Sequence, residues 1–348
     1  MMKDGSGAAV PGHSVDANRI SKARTMAQSG SHPTDKMQPA SRSAHTPQSG
    51  IFALGTSSVS YLEFDLHPES EPESVVRLVA DLRWPPGTTG GVNLVIGFRP
   101  ELWRVVAPNA IAADVTGFNQ DLVGPDGYTM PATQHDVFIS AAGHAYDTVF
   151  DMSRDAIQQL DGIASLQHEI QGWTYKDGRD LTGFIDGTKN PSWALAPQWA
   201  LIPEGEPGAM GSVLLLQKWV HHAAAWEALP VMNQERIIGR TKLESVELPE
   251  KITGPTSHVA RTTVRVGEEE RKIFRRNTPY GQVEEHGTMF VGYSKDQTVL
   301  QTMLDRMAGI PDGIRDGLTY YSNPLTGAYY FVPAVEAISR FGSLEEND

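Results

Sequence analysis

The sequence predicts an α+β protein made of two successive β-α-β-β-α-β units. Two observations carry that expectation. Short alternating apolar segments bounded by glycine and proline read as strands, and longer segments with apolar residues every three or four positions read as helices. The order of elements over residues 57–175 then recurs over residues 211–333.

In the first unit, "SSVSYLEFDL" alternates as a strand does. "PESVVRLVADLRW" has helical spacing and opens with Pro and Glu, which suit a first helical turn. "GGVNLVIGF" and "HDVFISAAG" read as strands, the former after a glycine pair. "AYDTVFDMSRDAIQQLDGI" is the clearest amphipathic helix, with Val149, Met152, Ile157 and Leu160 near one face. "ASLQHEIQGWTY" closes the unit as a strand. In the second unit "GSVLLLQKWVHH" is a strand, and "AAAWEALPVMNQERIIGR" is a helix interrupted near Pro230. "RKIFRRNTPY" and "HGTMFVGYS" read as strands, "KDQTVLQTMLDRMAG" as a helix stopped at Gly309, and "LTGAYYFVP" as the last strand. This is the split βαβ pattern of ferredoxin-like domains. Two such units imply antiparallel sheets packed together with helices outside. The halves share the pattern and almost no identity.

Residues 1–50 are rich in Ser, Gly, Ala, Pro and Gln and read as a disordered tail; Glu345 to Asp348 read as frayed. The remaining domains are expected at 51–190 and 191–340. The formal net charge is −13, although the tail alone holds six basic against three acidic residues. So acidic a body repels phosphate backbones, which argues against nucleic acid. There is no cysteine, so disulfides, thiolate metal sites and a Cys nucleophile are excluded. No run of about 18 apolar residues suggests a membrane span. Neither an apolar leader nor a twin arginine is visible, so a cytoplasmic location is expected.

Two long irregular stretches break the pattern, Lys176–Ser212 and Gly239–Ser257. Loops of that length are usually functional or disordered. The first contains "LTGFIDGTKNPS", where Asp186 sits beside Gly187. From local chemistry alone this is a mobile turn, since Asp-Gly and Asn-Pro are turn dipeptides. His258, in "GPTSHVARTT", is a satisfied histidine or a metal or haem ligand. Most other histidines read as structural or exposed. "FRRNTPYG" reads as a charged surface strand, or as one that turns Arg275 and Asn277 into a site while Arg276 meets solvent. "EEHG" lacks a second histidine at helical spacing and is not a zinc motif. No GxGxxG, P-loop or GxSxG occurs.

Taken together, these segments resemble one family. "GFIDGTKNP" resembles the GxxDG signature of dye-decolourising peroxidases, haem enzymes built of two ferredoxin-like domains. "TSHVAR" looks like the family's proximal-histidine segment and "FRRNTPYG" like its distal Arg/Asn segment. "EEHGTMFVGYS" and "LTGAYYFVP" resemble its late strands. The likeness spans roughly residues 54 to 335, and the composition is most similar to the bacterial B-type group.

The resemblance implies one haem b per chain, bound in the C-terminal half with His258 as iron ligand. A carboxylate should hold the other ring nitrogen. Asp316 matches that place by counting back from Thr326-Gly327, with Asp305 and Asp312 as alternatives. On the other haem face the resemblance implies Asp186 as acid–base group, Gly187 giving it close approach, Arg275 as fixed positive charge and Asn277 as an orienting amide. The implied reaction reduces hydrogen peroxide and then oxidises dyes, phenols or other one-electron donors through a ferryl intermediate. Whether Asp186 or Arg275 dominates is left open. A homo-oligomer, from dimer to hexamer, is expected, and Gly342-Ser343-Leu344 is a fragment reminiscent of an encapsulin-targeting peptide. Two other readings stay open: haem handling of the chlorite-dismutase kind, and a non-enzymatic ligand-binding module.

Overall fold

The computed structural model describes residues 45–82 and 91–342. Most of the expected tail, and the last residues, lie outside the described residues. Residues 45–50 do not behave as tail. Gln48 is fully buried; its Nε2 donates to the carbonyls of Ile96 (2.8 Å) and Pro333 (2.9 Å), and its Oε1 accepts from the Ile96 N–H at 2.7 Å.

Ten strands form the main sheet: β1 (Ser58–Leu66), β2 (Asn93–Phe98), β3 (Val137–Gly143), β4 (Ala164–Trp173), β5 (Ser212–His221), β6 (Phe274–Arg275), β7 (Thr278–Gly281), β8 (His286–Ser294), β9 (Ser322–Pro324) and β10 (Ala328–Val332). Every pairing is antiparallel. The first half has the order β4-β1-β3-β2, and the second half has β7-β8-β5-β10. The halves meet edge to edge through one residue pair at each seam, Phe98 with Phe331 and Gly172 with Tyr280. With β8 also paired to β5, the strands close into a ring. Gln48 supplies at the first seam the main-chain bonds that the strands do not make to each other.

Both faces of β1, β2, β3, β5 and β10 are buried, which explains their near-continuous apolar runs, whereas β4 alternates with exposed residues. Leu94 and Ile96 join the outer cluster beneath the helices, while Val95 between them joins the cluster inside the ring. Val213 and Leu215 alternate with Leu214 and Leu216 in the same way. Inside, Phe138 and Tyr330, from opposite halves, stack at 5.4 Å. Outside, the helix Tyr146–Leu160 buries Val149, Ala156 and Leu160. Each large apolar side chain so buried contributes about 1.5–3 kcal/mol.

The expected strand "RKIFRRNTPY" is broken. Glu269–Arg271 belongs to a separate hairpin with Val264–Val266, and β6 and β7 are split at Arg276 and Asn277. The Asn277 side chain causes the split in part, because its Oδ1 accepts from the Val291 N–H at 2.9 Å where a strand would offer a carbonyl. The interruption near Pro230 is as expected: helices Ala223–Glu227 and Val231–Ile238 flank it.

Candidate active site

His258 opens a short helix, His258–Thr262, whose preceding Ser257 caps it by accepting from the Ala260 N–H. The Gly317 N–H donates to the Thr256 carbonyl at 2.7 Å, which draws the next element against this one. That contact sets Asp316 beside the imidazole: Nδ1 of His258 lies 2.7 Å from Oδ2 of Asp316. A carboxylate only accepts, so Nδ1 carries a proton, and in the neutral imidazole Nε2 is the nitrogen that keeps a lone pair. The other Asp316 oxygen accepts from the Leu318 N–H at 2.9 Å, and the residue is wholly buried. The two alternatives are engaged elsewhere. Asp312 makes a two-pronged bond to Arg261 at 2.8 and 2.9 Å, and Asp305 accepts from Gln301.

The Asp186 segment is not the loose turn its composition suggested. The Asp186 N–H donates to the Gly178 carbonyl at 2.9 Å. Arg179 donates to the carbonyls of Gly183, Lys242 and Leu243, and so ties this loop to the second long one. Lys189 pairs with Glu247 at 3.0 Å across the same divide. Asn190 completes the fixation. Its Nδ2 donates to the Arg275 carbonyl at 2.9 Å and its Oδ1 accepts from the Arg275 N–H at 3.0 Å, locking the loop to β6. Gly187 has φ +72°, a conformation that side chains disfavour, and it lets its own N–H reach the Asp186 carboxylate at 2.6 Å.

Asp186, Gly187, Arg275, Asn277 and His258 line one cavity with an empty volume of about 1000 Å³. Asp316 stands behind His258. Among the described residues the Arg275 guanidinium has no carboxylate within ion-pair distance. Arg276 does not meet solvent as expected. It is half-buried, donates to Thr56 and lies outside this cavity: it shares a face with Phe274, beside Tyr61, Val291 and Tyr293 of the inner cluster, so the face opposite Arg275 is the inside of the ring and not solvent.

Two more titratable groups line the cavity: Asp180, which sequence reasoning did not single out, and His221, which it read among the structural or exposed histidines. Asp180 is pushed up to about 6 by burial and by the neighbouring Asp186 charge, against the bonds it accepts from Thr182. His221 is pushed down to about 4, by burial first and then by His286 and His222. Both His221 nitrogens are taken, by Ser322 and Thr288, so it offers no ligand atom. Neither had a local signal. Asn190 had a faint one, the Asn-Pro dipeptide, which indicates a turn and not a clamp.

A dye-decolorizing peroxidase of Mycobacterium tuberculosis is 37% identical over 253 residues, which cover 71% of this chain and 75% of that protein. The chain belongs to the dye-decolourising peroxidase family. The family description "Dyp-type peroxidase, C-terminal" matches residues 177–337. A DypB variant from Rhodococcus jostii RHA1, solved in complex with heme, superposes with TM-score 0.75 at 30% identity over 82% of this chain and 95% of that one. The encapsulated DyP-type peroxidase from Mycobacterium smegmatis superposes with TM-score 0.76 at 29% identity, covering 86% of this chain and 100% of the other. This member of the family is therefore a peroxidase, with the mixed α+β architecture and antiparallel sheets of those relatives.

Proposed function

We propose that the chain binds haem b through His258 and reduces hydrogen peroxide while oxidising dyes, phenols or other one-electron donors. One observation carries the reading: His258, backed by Asp316, shares a cavity with Asp186, Arg275 and Asn277. The residues fit the cofactor. Nε2 of His258 is free to bind a metal. Ile238, Phe290, Met303, Leu304 and Leu318 offer a flat macrocycle apolar walls. Nε2 of Gln217, buried in the same lining, has no partner among the described residues, and a polar ring substituent would satisfy it.

When bound, haem would supply the iron at which peroxide is reduced and would hold the two oxidising equivalents taken from peroxide until donors remove them. The protein supplies the rest. Asp316 keeps the proton on Nδ1 of His258, which makes the ligating nitrogen more basic. The Asp186 carboxylate accepts the peroxide proton and returns it to the departing oxygen, a role worth about 10²–10⁴ in rate. Arg275 places fixed positive charge where negative charge develops as the O–O bond breaks. The Asn277 oxygen is held by the Val291 N–H, so its Nδ2 is the group that orients peroxide or a water.

We assign the two strand orders to two ferredoxin-like units, near 51–190 and 191–340, with the second providing the haem ligand. A homo-oligomer in the cytoplasm belongs to this proposal. The encapsulated mycobacterial relative supports an encapsulin shell as a partner.

The deciding test is an absorption spectrum of haem-loaded protein, followed by one equivalent of hydrogen peroxide and then a dye. A Soret band that shifts and recovers with the dye is expected. A band inert to peroxide would point to haem handling instead.

A further inference from the structure

Arg276 opens onto a second cavity, with an empty volume of about 1080 Å³, that shares Asp186, Gly187, Arg275 and Asn277 with the first. Its guanidinium lies 5.7 Å from the ring centroid of Trp193 and spends one N–H on the Thr56 hydroxyl at 3.1 Å. Among the described residues no carboxylate lies within ion-pair distance of it. The neighbouring phenols do not neutralise it either. Burial pushes Tyr61 up to about 12 and pushes Tyr293 up as well, so both stay uncharged. A half-buried cation without a counter-charge is unfavourable, and the guanidinium fork matches a carboxylate. At the rim, Trp193 is 47% and Leu54 66% exposed, so the approach to the cation is apolar and aromatic. Among the described residues the lining holds one carboxylate, Asp186, beside Arg275 and Arg276, so a small monoanion is the fitting guest.

We propose that this cavity binds phenolic carboxylates as reducing donors, with the carboxylate on Arg276 and the ring against Trp193. The proposal rests on the peroxidase reading for its oxidant. Each phenol gives up one electron and one proton, so one peroxide and two phenols yield two waters and two phenoxyl radicals. The shared wall of Asp186 and Arg275 keeps the donor next to the cavity where peroxide reacts.

The test uses the haem-loaded enzyme and benzoate, a carboxylate that is not a phenol, as calorimetric probe. Saturable binding with an unchanged Soret band is expected, and benzyl alcohol should bind about tenfold more weakly or worse. Arg276→Gln should weaken benzoate by about tenfold or more, and Arg276→Lys should recover part of the loss. In turnover, Arg276→Gln should raise KM for 4-hydroxybenzoate and leave KM for the neutral phenol guaiacol unchanged. Benzoate binding that is equal in Arg276→Gln, or that moves the Soret band, would overturn the proposal while leaving the peroxidase intact. Failure of the unmodified enzyme to oxidise guaiacol would strike the peroxidase reading itself.

Discussion

Two sets of residues in the first cavity are held in different ways. His258 and Asp316 are held by their side chains: the imidazole proton is bound at 2.7 Å, and the carboxylate is buried and accepts a main-chain N–H as well. Asp186 and Arg275 are held by their backbones. Asn190 bonds both main-chain groups of Arg275, and the Gly178 carbonyl takes the Asp186 N–H. Their charged ends have little or nothing to hold, apart from the Gly187 N–H on Asp186. In the roles proposed above, a metal ligand gains from a fixed tautomer and direction, whereas a proton carrier and a charge stabiliser must keep their bonding capacity for substrate. Rigid backbone with free heads satisfies the second need without loosening the site.

The comparison breaks most completely at the ligand. His258→Ala should abolish or sharply weaken haem binding, read from the Soret band after reconstitution; full occupancy with an unchanged spectrum would remove His258 as ligand. Next comes the free guanidinium. Arg275→Leu should slow the stopped-flow reaction with peroxide by at least about tenfold, with the haem still bound. Asp186→Asn should change the pH profile of that same step, and a profile that superimposes on the unmodified one would make Asp186 structural.

Smaller effects would sharpen the contrast. Asn190→Ala leaves two partly buried main-chain groups of Arg275 without their side-chain partner, which should lower stability by about 1–3 kcal/mol in denaturant unfolding. It should also slow the peroxide step less than Arg275→Leu does. Asp180 sits behind Asp186 with its carboxyl raised to about 6 from a usual 3.8. Between those values the folded protein holds the proton and the unfolded chain does not, so stability falls as pH rises through that window. Asp180→Asn keeps an oxygen for Thr182 and removes the charge. Its stability should therefore exceed that of the unmodified protein above pH 6, and the difference should vanish below pH 4.

The residues that sequence reasoning singled out and that share the cavity are those whose signal is local. Asp186 and Gly187 stand out as an acid and a φ-permissive residue in one motif, and His258 follows a long irregular loop. Arg276 was misjudged because alternation gives only the face opposite Arg275 and Asn277, and ring closure makes that face interior instead of solvent. Gln48 was lost in a polar tail, although its amide bridges a sheet seam that carries one residue pair.

The alternation of strands and helices, the α+β class and the acidic, cysteine-free chemistry follow from the sequence alone, because periodicity and turn residues act over a few positions. Tertiary structure alone decided which of Asp305, Asp312 and Asp316 meets His258, which arginine enters which cavity, and what pins the Asp186 loop. Those partners are 58 residues apart for His258 and Asp316 and 85 apart for Asn190 and Arg275. A buried polar group must find a partner, but which one depends on how packed elements bring distant segments together.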